Sequence, residues 1–129
     1  MTIALWCLLP AWITIYLPRV IVAREQAAQP EGFDNVDPRE QQARLSPRGR
    51  RANAAQANGF EAFPAFAAAV IVSHLGGGHQ AAANILAVSF VVARVVYPFL
   101  YVAGLGTGRS LVWGVGFLCT VGLFVLPAV

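Results

Sequence analysis

Glu61 and Arg94 are the residues of this 129-residue chain whose chemistry is most at odds with their surroundings. Each lies deep inside an apolar run, where an unpaired charge costs on the order of several kcal/mol. Glu61 follows Ala52 by nine residues, and Arg94 precedes Ala103 by nine. At about 1.5 Å rise per residue, two antiparallel helices place both roughly 13 Å from the same end. The spacing predicts that they pair or share one polar cavity.

Neighbouring residues extend each charge into a stripe. Arg51, Asn58 and Glu61 stand at i, i+7 and i+10, on one helical face, and Arg94, Tyr97 and Tyr101 stand at i, i+3 and i+7. Arg109 and Ser110 open the last apolar run at the same level. Such a convergence suits a small anionic ligand with carboxylate and amide groups. Guanidinium binds carboxylates bidentately, and Glu61 accepts from an ammonium or amide. The plainer alternatives are a buried Glu61–Arg94 pair that only joins two helices, an interfacial role for Tyr101, and Arg51 as a topology charge.

The elements that must carry these residues follow from composition. The chain is 57% hydrophobic and only 12% charged, well below the roughly 25% charge of soluble domains. Four apolar runs, about residues 2–23, 52–75, 80–103 and 109–127, each approach the ~20 residues needed to cross hydrocarbon. They predict an all-α membrane protein, a four-transmembrane-helix bundle forming a single domain over 1–129. Residues 24–51 read as a long polar loop. It carries six of the nine arginines and five of the six acids, and the chain has no lysine. Arginine bias puts that loop in the cytoplasm and both termini on the opposite side. The first run has no basic segment before it and a poor cleavage pattern after Ala23, so it reads as a retained helix.

Other features carry less chemistry. Most charged residues gather in one loop with both signs mixed, so the net +3 is no nucleic-acid patch. Cys7 and Cys119 sit alone in apolar runs, as small buried hydrophobes do. His74 and His79 flank the Gly76–Gly78 turn, and no metal site is expected. Alanines on the second run and glycines on the fourth allow close helix approach.

The stretch from Arg51 to Pro64, with Asn58-x-x-Glu61 at its heart, resembles the signature of the MAPEG family, membrane-associated proteins of eicosanoid and glutathione metabolism. Arg94-Val95-Val96-Tyr97 with Tyr101 is similar to the family's third-helix motif, and Arg109-Ser110 to its fourth-helix start. The resemblance implies a MAPEG-like homotrimer that binds glutathione as co-substrate between subunits near the cytoplasmic side. It implies a glutathione site of Arg51, Asn58, Glu61, Arg94, Tyr97, Tyr101 and Ser110, with Arg109 as the catalytic cation beside the thiolate. A lipophilic small molecule would arrive through membrane lipid. The implied activity is that of a glutathione-dependent transferase or peroxidase acting on lipophilic electrophiles or hydroperoxides.

The chain also departs from the catalytic members. Ala54 and Ala57 stand where some carry Arg, Gln56 where many carry His, Tyr97 where some carry His, and Trp113 where one branch carries Tyr. The family includes a non-catalytic, lipid-binding branch that acts as a scaffold, so that reading stays open beside the enzymatic one. A transporter has little support, because no inverted repeat or broken helix pair is evident.

Overall fold

The computed structural model describes residues 1–128; Val129, the last residue of the expected domain, lies outside them. The described chain is all-helical: α1 (Ile3–Trp6), α2 (Leu8–Thr14), α3 (Arg19–Ala27), α4 (Pro38–Ala43), α5 (Pro47–Leu75), α6 (Gln80–Val102), α7 (Gly106–Val125) and a short 3-10 turn, Leu126–Ala128.

The helices α1 to α3 form one broken rod. The Thr2 hydroxyl caps α1 by accepting from the Leu5 N–H at 3.3 Å. Towards Pro18 the hydrogen bonds tighten to a three-residue step, with Ile15, Tyr16 and Leu17 donating to Trp12, Ile13 and Thr14. Pro18 has no N–H and disfavours helix in the residue before it, which accounts for the break. α1 and α2 lie against α6, whereas α3 lies against α5. The rod thus changes neighbours at Pro18.

Three segments are long and apolar enough to cross a membrane: Ile3–Ala27, Gln80–Val102 and Gly106–Ala128. α5 has 29 residues, about 43 Å of helix. Asn58, Glu61, Pro64 and His74 dilute its apolar stretch, and it is not among the three.

The polar segment 24–51 contains more structure than a loop. α3 runs on to Ala27, α4 lies within it, and α5 begins at Pro47. Pro38 and Pro47 open their helices, where a missing N–H does no harm. Ser46 caps α5 by accepting from the Gly49 N–H at 3.1 Å. Two fully buried glutamines clasp the fold-back between α3 and α4. Gln26 Nε2 donates to the Pro38 carbonyl at 3.0 Å and to Gln41 Oε1 at 3.1 Å. Gln41 Nε2 donates to the Gly32 carbonyl at 2.6 Å, and Gln41 Oε1 also accepts from the Asp34 N–H.

The other connections are tight. Gly77 (φ +73°) and Gly104 (φ +77°) adopt the left-handed backbone that glycine tolerates best, just after α5 and α6. The His79 ring caps α6 by accepting from the Ala82 N–H at 3.4 Å.

The main core lies towards the glycine-turn end. Phe66 of α5 and Phe90 of α6 stack face to face at 3.8 Å between centroids. Ala4, Ala11, Ala69, Ala87 and Leu123 close around them. Small residues let the backbones approach, so packing is dense without large side chains. The outer faces stay apolar, with Ile85, Phe99 and Leu118 each 66% exposed. Water does not suit such a surface, and lipid or another subunit does.

Candidate functional site

Three helices bring the predicted polar residues together at the other end of the bundle. Asn58 and Glu61 stand three apart on α5, which gives them one face. Arg94, Tyr97 and Tyr101 lie along α6, and Arg109 and Ser110 lie in the first turns of α7.

Arg94 is 7% exposed, so its charge needs partners. Its Nη1 donates to Asn58 Oδ1 at 3.1 Å, and Asn58 Nδ2 donates to Glu61 Oε2 at 3.3 Å. The direct Glu61–Arg94 pair expected from depth is not formed. Asn58 stands between them and relays the contact, because one amide offers both an acceptor and a donor. The shared cavity is present: Asn58, Glu61 and Arg94 line one cleft.

A ladder of two tyrosine rings with a cation at each end continues from there. The Arg94 guanidinium lies 4.5 Å from the Tyr97 ring centroid, Tyr97 meets Tyr101 edge to face at 5.6 Å, and the Arg109 guanidinium lies 4.6 Å from the Tyr101 centroid. Stacking of this kind holds a guanidinium in place without neutralising it. Among the described residues no carboxylate pairs with Arg109.

Two adjoining clefts result. One, of about 290 Å³, is lined by Asn58, Tyr97, Tyr101, Arg109, Ser110 and Trp113. The other, of about 330 Å³, begins at Asn58, Glu61 and Arg94 and runs along Trp113, Phe117, Val121 and Phe124. Asn58 and Trp113 belong to both. A polar chamber with an unpaired cation thus opens onto an apolar groove.

Arg51 is placed elsewhere. Its Nε donates to the Val102 carbonyl at 3.0 Å, among the last carbonyls of α6, which lack helical partners. It lines a separate cleft with Arg48. The sequence stripe had grouped it with Asn58 and Glu61, but the unsatisfied end of α6 claims the long side chain.

The apolar wall was missed by reading charges alone. Trp113, Phe117, Val121 and Phe124 stand at i, i+4, i+8 and i+11 on α7, a helical stripe visible in the sequence. Thr120 joins this wall with its hydroxyl turned onto the Gly116 carbonyl at 3.1 Å, which hides its polar group. Cys7 and Cys119 lie buried in the core as free thiols. Among the described residues, no three of His, Cys, Asp and Glu gather as a metal site would require.

The MAPEG family model matches residues 3–129. No curated protein and no solved structure matches the chain.

Proposed function

From the premise that the chain belongs to the MAPEG family and is an integral membrane protein, we propose that it is a glutathione-dependent transferase or peroxidase acting on lipophilic electrophiles or hydroperoxides. The observation that carries this reading is the junction of the two clefts. A cationic, hydrogen-bonding chamber adjoins an apolar groove, and the shared wall is Asn58 and Trp113.

In this reading α5 is the fourth span, and the chain works as a homotrimer with the polar segment 24–51 in the cytoplasm. The apolar outer faces support burial of this kind. Glutathione lies in the chamber. Past Asn58, at the polar mouth of the groove, its carboxylates face Arg94, and Glu61 accepts from its ammonium group. Tyr97, Tyr101 and Ser110 fix its backbone. Arg51 stays with the end of α6.

Arg109 is the catalytic group. A guanidinium beside the thiol favours the thiolate, which is the attacking species. With an electrophile in the groove, the sulfur–carbon bond forms as the bond to the leaving group breaks. That group departs with the electron pair, and an opened epoxide oxygen takes a proton from water. With a hydroperoxide, the thiolate attacks the outer oxygen and the alcohol leaves. A second glutathione then reduces the sulfenic product, giving glutathione disulfide and water.

The test is conjugation and peroxidase activity of the purified protein. Arg109→Ala is expected to lower turnover about 10²-fold or more, as loss of one charge-stabilising donor does, with the assembly intact. The scaffold reading rests on the alanines at 54 and 57 in place of family arginines. It predicts bound lipid in the crevice and no calorimetric glutathione isotherm. A wild-type protein with neither activity nor glutathione binding would overturn the proposal.

A further inference from the structure

A cleft apart from those of the candidate site lies between the first rod, α5 and α6, and α7 contributes nothing to it. It has a volume of about 590 Å³, larger than either cleft of the candidate site. Its walls are Leu17, Pro18 and Ile21 of the first rod and Pro98, Phe99 and Val102 of α6. The break at Pro18 accounts for the opening. α1 and α2 lie against α6, but beyond the break α3 lies against α5. The rod leaves α6 beside Phe99, and a gap remains.

At the rim stand Arg48 and Arg51. No carboxylate lines the cleft, and among the described residues neither arginine forms an ion pair. Arg51 spends its Nε on Val102, and among the described residues its terminal nitrogens have no acceptor. Phe99 beneath them is 66% exposed. Two guanidiniums without carboxylate partners among the described residues, above an apolar slot at the end of a bilayer-spanning helix, match an anionic headgroup above an acyl chain. A soluble anion would leave the apolar walls uncovered.

We infer that this cleft is a binding site for an anionic phospholipid of the surrounding bilayer, with its phosphate on Arg48 and Arg51 and one acyl chain along Leu17, Ile21 and Phe99. The inference rests on the membrane location and not on the thiol chemistry. The lipid fills the gap left at Pro18 and ties the first rod to α6.

Intact-mass measurement after reconstitution tests this. The protein is placed in phosphatidylcholine bilayers with a minor share of phosphatidylglycerol, extracted and weighed with its retained lipid. Wild type is expected to retain phosphatidylglycerol preferentially. Arg48→Gln lowers that preference about fivefold, and Arg48→Lys keeps most of it. Leu17→Trp fills the slot and reduces retention of both lipids. Equal retention of the two lipids by wild type overturns the inference, as does a preference unchanged in both Arg48→Gln and Leu17→Trp. Lipid-free protein whose oligomeric state shifts in Leu17→Trp makes the cleft a contact between copies, and also overturns it. Glutathione binding is measured in parallel and is expected to be unchanged in Arg48→Gln, so failure of one proposal is separable from failure of the other.

Discussion

The two ends of the bundle are built on different principles. At the glycine-turn end, Phe66 and Phe90 stack within a ring of alanines, in a core built mainly of apolar side chains. At the other end the same helices meet through Arg94, Asn58 and Glu61, and the space between them stays open as clefts. α5 and α6 belong to both ends. Close packing at one end holds the two helices in register for the polar contacts at the other. Stability should therefore be concentrated at the first end and ligand binding at the second.

The largest effect expected from this division is on Phe66→Ala. It removes a fully buried ring from the stack and should cost about 3–5 kcal/mol. Thermal unfolding in detergent should show a clear drop in midpoint, while glutathione affinity of the folded fraction stays near wild type. A stable Phe66→Ala protein that has lost its ligand would break the comparison. Next is Asn58→Leu, which removes the relay between Arg94 and Glu61. Glutathione affinity by calorimetry should fall roughly thirtyfold, the equivalent of about 2 kcal/mol. Its unfolding midpoint should move far less than that of Phe66→Ala.

Smaller again is Gln41→Leu, which unfastens the clasp in the polar segment. Local opening of residues 28–37 should become easier by about 1 kcal/mol. Limited proteolysis should cut there first, with turnover little changed. The smallest effect concerns Asp34. Hydrogen bonds from the Asp37 and Val36 N–H groups hold its carboxyl below the ordinary carboxylate range. A lowered folded pKa stabilises the charged form, so the contribution is complete above the unfolded value of about 3.9. It is lost as pH falls through the folded value below that. Amide exchange at Val36 and Asp37 should rise only in that acidic window, and a rise near neutral pH would contradict the assignment.

Hydropathy made most of the helical architecture legible, because a ~20-residue apolar run has few other uses. The depth match of Glu61 and Arg94 pointed to a cleft that both residues line, because helical rise converts residue counts into distance. What it did not specify was the intermediary. Asn58 has the right shape for the relay, but residue counts along two helices do not say which side chain meets Arg94 first. Arg51 was grouped by angular position and by the family resemblance. Its long side chain reached a carbonyl whose need arises from where α6 ends. The pairing of Gln26 with Gln41 left no trace in the pattern, since glutamine is ordinary in polar segments and becomes informative only when buried.

That clasp has a consequence for the conditions under which the polar segment keeps its shape. Its bonds join neutral amides to amides and carbonyls, with no ion pair among them. The segment's Arg44–Glu31 pair is exposed and 3.4 Å long, and dissolved ions screen it readily. The fold-back is thus fastened by contacts indifferent to ionic strength. The arginines it carries are therefore expected to keep their positions when the salt concentration of the surrounding fluid swings.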